Sequence, residues 1–177
     1  HGKRIMSSTG DFSDFEILSM MHNEGVITPN FTKSPWAFDA EPIYNGEADI
    51  KATYILSALW ETRDKKEQLK YFSSADYGLN FYGDLLLTTK KLVNSNPKLV
   101  EDFRNASIEG WKYALLHPEE ISKLIVAKYP AKIETYSDNY AFNMFSFKVI
   151  KDLMSYPYVD VGNSSNDRWH RIHEYLT

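Results

Sequence analysis

The turn Gly10-Asp11-Phe12-Ser13 carries the residue types best suited to grip a small polar solute. It follows a strand-like run, Lys3-Arg4-Ile5-Met6, and precedes a helical stretch over 14–24. Backbone N–H groups at a helix N-terminus favour an anion or a polar head group. Open α/β sheets collect ligands at such strand C-termini. The same four residues would serve equally as a plain capped turn. A second constellation is Asp76-Tyr77-Gly78 with Tyr82-Gly83-Asp84. There a tyrosine ring could lie on a planar ligand, the glycines would allow close approach, and the two carboxylates could accept hydrogen bonds from an amino group. The alternative is a tight turn whose rings pack into the core, with Asp84 orienting a hinge strand. Tyr54 and Trp60 are further candidates for pocket walls, whereas Trp36 and Phe38 are expected in the core.

Other chemistries find little support. The chain has no Cys, so it offers no thiolate ligand and no Cys nucleophile. No serine lies in a Gly-x-Ser-x-Gly elbow. Glu119-Glu120 reads as first-turn helix acids. His170 and His173, with Asp167 and Glu174 nearby, have a metal-type spacing, but no third ligand is suggested. No catalytic residue, metal ligand or cofactor is therefore assigned. Net charge is -4, and the densest basic run, Arg63-Asp64-Lys65-Lys66, is broken by an acid. That pattern argues against nucleic acid as a partner. With 43% hydrophobic and 25% charged residues the chain reads as globular, and no apolar run approaches a membrane span.

These candidates need elements to hold them. Strands are expected at Lys3–Met6, Phe31–Phe38, Asp49–Leu56, Lys70–Ser73 and Asp84–Thr89. A helix ended by Gly25 follows the first, and Asp39 caps a short helix through Tyr44. Strand–helix alternation of this kind signals a mostly parallel sheet with helices on its faces. From Asn96-Pro97 onward the pattern is helical. Leu99, Val100, Phe103, Ala106, Trp111, Ala114 and Leu115 recur at helical spacing, and Trp111 and Trp169 are expected in the core. A helix restarts at His117-Pro118, another carries Tyr140 to Met154, and Asn166 caps the last. The division by pattern places an α/β ligand-binding lobe over 1–90 and a helical segment over 91–177.

Asp76-Tyr77-Gly78-Leu79-Asn80-Phe81-Tyr82-Gly83-Asp84, followed by Leu85-Leu86-Leu87-Thr88, resembles a stretch of ABC-transporter substrate-binding proteins of the thiamine-pyrimidine synthesis and uptake family. The likeness continues through Asn96-Pro97-Lys98-Leu99-Val100, Gly110-Trp111-Lys112-Tyr113-Ala114-Leu115 and Pro118-Glu119-Glu120. It ends at Arg168-Trp169-His170-Arg171-Ile172. Gly2-Lys3-Arg4-Ile5 is similar to the strand opening that family's second lobe. Three departures stand out. Most of a first lobe, expected before Gly2, does not precede it, so the chain reads as a fragment of a longer protein. After Tyr54 the family's Asn and Glu are Ser57 and Ala58, and the second Gly of its Gly-Glu-Phe-Gly turn is Ser13.

The resemblance implies the second lobe of a type II periplasmic-binding-protein-like α/β fold, followed by C-terminal helices. It implies a non-catalytic, periplasmic or extracellular solute-binding domain for a thiamine-precursor pyrimidine or a related small solute. Closure would run about hinge strands at Lys3–Met6 and Asp84–Thr89, with an ABC permease as partner or a fused transmembrane signalling module of kinase or cyclase type. A pyrimidine-phosphate synthase is the enzymatic alternative, and the lack of Cys removes the iron-handling motif that such enzymes carry. A helical interaction domain is the third reading, and a homodimer or segment exchange would cover apolar helix faces left open in a fragment.

Overall fold

The computed structural model describes residues 2–7, 12–26, 30–64, 69–129 and 138–176, with Phe12 and Ser13 described by backbone alone. Gly10 and Asp11 lie outside the described residues. Two compact units form, one from residues 1–81 and 167–177 and the other from 82–166.

The first unit is built on three parallel strands, β1 (Lys3–Met6), β2 (Phe31–Ser34) and β3 (Ile50–Lys51), in the order β2-β1-β3. The central strand buries Ile5 and Met6 almost completely, as a parallel strand covered on both faces must. Helix α1 (Phe12–Asn23) crosses from β1 to β2. It ends in a Schellman motif: Gly25 at φ +78° donates to His22 O, and Val26 donates to Met21 O. Pro35 cannot donate to a ladder, and β2 stops one residue before it. Asp39 Oδ1 then accepts from Glu41 N at 3.1 Å, opening the short α2 (Glu41–Tyr44). Helix α3 (Ile55–Glu61) buries Ala58 and Trp60. A 3₁₀ turn over Ser74–Tyr77 is tied to α1 by Ser74 Oγ donating to Glu16 Oε1 (3.0 Å) and Asn23 Nδ2 donating to Tyr77 O (2.8 Å).

The last helix, α8 (Asn166–Leu176), belongs to this unit from Asp167 onward. Its Arg168 guanidinium donates to the carbonyls of Asn80 and Phe81, Tyr175 packs edge-on against Phe81, and Ile172 is buried.

The second unit contains α4 (Lys90–Ser95), α5 (Pro97–Leu116), α6 (Pro118–Lys128) and α7 (Asn139–Leu153). Local signals set their ends. Thr89 and Asn96 side chains accept from Leu92 N and Leu99 N, and Asp138 accepts from Ala141 N. Pro97 and Pro118 occupy first helical positions.

Several expectations are corrected. The apolar run expected as a strand through Leu56 is β3 for two residues only. Residues 52–54 are irregular, and Ile55 and Leu56 open α3, because Ile55, Ala58, Leu59 and Trp60 also match helical spacing. Lys70–Ser73 and Asp84–Thr89 pair with no strand of the sheet. Without a neighbour to satisfy its backbone, an apolar run is not a strand. Trp36, Phe38, Trp111 and Trp169, expected in the core, are exposed, as are Leu99 and Phe103.

Candidate functional site at the strand ends of the sheet

The chain runs from β1 to β2 on one side and then crosses to β3 on the other. The strand order therefore reverses at β1, and open α/β sheets take ligands outside the carboxyl ends of their strands at such a point. Ala52 N donates to Met6 O at 2.8 Å, holding the start of the β3 exit against β1. Two residues later stands Tyr54, 78% exposed at the N-cap of α3. A large ring so open to water on a fixed backbone is an available surface for a flat ligand.

On the β2 side of the same edge, three polar groups close a triangle. Lys33 Nζ donates to Ser7 Oγ (2.9 Å) and to Asp14 Oδ1, and Ser7 Oγ donates to the same carboxylate oxygen (2.5 Å). Ser7 is buried at the end of β1, Lys33 is in β2 and Asp14 lies in the first turn of α1. With Ile5, Ile17, Leu18 and Phe31 they line a cavity of about 60 Å³. A site enclosing a whole small ligand needs on the order of 300 Å³ or more. The cavity at this edge is too small to enclose one.

Behind the β3 exit lies a buried ion pair. Lys51 Nζ donates to Glu61 Oε2 (2.7 Å), Phe38 O (3.0 Å) and Asp39 O (2.9 Å), and it lies 5.5 Å from the Trp36 ring centroid. The two side chains are 5% and 2% exposed. All three ammonium protons are used, so the group fixes a loop, a strand and a helix and has no donor left for a ligand. Burial, and then the neighbouring Tyr71, Glu41 and Glu61, raise the Tyr44 phenol above its usual value. At the opposite end of the strands Asp49 accepts from both Nε and N of Arg4, which lowers its carboxyl to about 2.

The residues singled out from sequence are distributed as follows. Phe12 and Ser13 open α1, the element that follows β1 in the chain. Tyr54 stands at the β3 exit. Trp60 is buried and its ring carries the Arg63 guanidinium at 4.1 Å. Asp76 and Tyr77 lie in the 3₁₀ turn of the first unit. Gly78, at φ +85°, is approached by Tyr175, whose Oη would stand 2.9 Å from an added Cβ. Tyr82, Gly83 and Asp84 belong to the second unit, where Tyr82 Oη accepts from Ser165 N at 2.7 Å. Ser7, Asp14, Lys33, Lys51 and Glu61 escaped the sequence reading. The one usable signal was a lysine at or next to the C-terminal end of two strands, Lys33 and Lys51.

Among the described residues, no group of three His, Asp or Glu side chains could hold a metal ion. No described helix is long and apolar enough to cross a membrane. No curated protein and no solved structure matches the chain. A family model described as NMT1/THI5 like matches residues 1–121, which span the whole sheet and α1 to α5. It is a family of periplasmic substrate-binding proteins of ABC transporters, and the parallel sheet with its helices fits the periplasmic-binding-protein-like fold. With about two thirds of its length matched, the chain belongs to the NMT1/THI5-like family.

Proposed function

We propose that the edge outside the carboxyl ends of β1 and β3 is one wall of a solute site, and that the solute is a small planar heterocycle of the thiamine-precursor pyrimidine class. The observation that carries this reading is the reversal of strand order at β1, with Tyr54 standing 78% exposed beside it. Tyr54 offers a ring face for stacking. Helix α1, which opens at Phe12 and Ser13 and follows β1 in the chain, offers the backbone N–H groups of its first turn to a polar or anionic substituent. Trp60 backs the wall from inside the core rather than touching solute. The role is binding and release, not turnover. Asp76 and Tyr77, and separately Tyr82, Gly83 and Asp84, are further contact candidates, each open to its own substitution.

Isothermal titration calorimetry with the aminopyrimidine precursor of thiamine tests the reading. Tyr54→Ala should weaken binding roughly tenfold to a hundredfold, the worth of one ring stacked on a base. Its unfolding midpoint should stay unchanged, since the side chain is in water. The absence of any heat, together with no small molecule retained in native mass spectra of protein purified from cells, would reject the site. Unchanged affinity in Tyr54→Ala would remove Tyr54 from it.

A further inference from the structure

The loop that leaves β2 carries two large rings in water. Trp36 is 42% and Phe38 61% exposed, and they meet edge to face with centroids 6.2 Å apart. A single exposed ring is ordinary. What sets this pair apart is the backbone beneath it. Ala37 N donates to Met6 Sδ at 3.2 Å, and Lys51 Nζ donates to Phe38 O (3.0 Å) and Asp39 O (2.9 Å). Met6 and Lys51 are the last residues of β1 and β3 and are partners in register, so their side chains leave the same face of the sheet. The loop from β2 is thus tied to the carboxyl-terminal residue of each of the other two strands. Tyr54 follows Lys51 by three positions on the segment leaving β3.

We propose that Trp36 and Phe38 are further solute contacts of the site proposed above, on which this inference rests, and that Lys51 is the positioning residue that holds them. The buried ion pair fits that role. A pair of this kind can be exchanged for apolar residues of like volume with little loss of stability, but no apolar side chain can hold two carbonyls. Rings on a fixed backbone meet a flat solute at little ordering cost, since each has only two side-chain torsions to lose. With Tyr54 they place three exposed rings on two anchored segments, a set suited to a flat heteroaromatic ring.

Titration of the full chain with the aminopyrimidine precursor of thiamine tests this. Trp36→Ala and Phe38→Ala should each weaken binding roughly fivefold to a hundredfold, with the unfolding midpoint little changed. The solute should also quench tryptophan emission, and Trp36→Phe should abolish most of that change while the other three tryptophans remain. The double variant Lys51→Met with Glu61→Leu should keep most of the stability and lose affinity about as the ring truncations do, a loss that a purely structural pair would not produce. Binding that Tyr54→Ala weakens and that Trp36→Ala and Phe38→Ala both leave unchanged would overturn this inference alone. Full affinity in the double variant would strip Lys51 of its role. No heat with the unaltered chain would reject the solute site and this inference with it.

Discussion

Two glycines, one in each unit, stand for the two ways this chain is held together. At Gly78 the backbone is left-handed and the Tyr175 hydroxyl, almost a hundred positions away in sequence, closes over it. At Gly110 the backbone is helical and the space beside it is empty. The first unit is fixed by contacts between distant segments, among them the Lys51–Glu61 pair, the Ser7–Asp14–Lys33 triangle and the arms of Arg168. The second has its helix ends set by caps and prolines within a few residues, with fewer distant ties, such as Tyr82 to Ser165 and Lys112 to Asp160, and it leaves many large apolar side chains exposed. Specific long-range contacts make single substitutions costly. Local signals make them cheap.

That contrast can be broken by measurement. The largest effect is expected at the buried ion pair. Lys51→Met leaves the Glu61 carboxylate without its cation and should cost about 3–5 kcal/mol in chemical denaturation. Adding Glu61→Leu should recover most of that loss, because the penalty lies in the orphaned charge. A small loss in the single variant would mean that the first unit is no more specifically braced than the second. Next come the glycines themselves. Gly78→Ala should lose about 1–3 kcal/mol, from the left-handed backbone and the collision with Tyr175. Gly110→Ala should instead gain up to about 1 kcal/mol from helix propensity. Equal effects at the two positions would erase the distinction.

The smallest effect is electrostatic. Asp49 has its carboxyl lowered from 3.8 to about 2 by its hydrogen bonds to Arg4. A lowered acid stabilises the fold above its ordinary value, and that contribution disappears as pH falls from 3.8 through 2. Unfolding followed across this window should show a slope that Asp49→Asn flattens.

The legibility of the sequence follows the same divide. The helices from Asn96 onward were readable because their caps and prolines sit beside the residues they govern. Lys70–Ser73 and Asp84–Thr89 misled, because the existence of a strand depends on a partner that no short window reveals. Trp36, Phe38, Trp111 and Trp169 misled as well, since ring size predicts burial only where something arrives to cover the ring. Of the candidate wall, Tyr54 was visible as an aromatic within a strand-like run. Ser7, Asp14, Lys33 and the Lys51–Glu61 pair were not, for each gains meaning only from residues 7 to 26 positions away.

The saturated ammonium of Lys51 has a bearing on motion. One cation clamps two carbonyls of an otherwise irregular loop, the end of a strand and the foot of a helix. None of the three can loosen without stripping the charge of its shell, so amide protons across all of them must exchange with solvent as a single cooperative block.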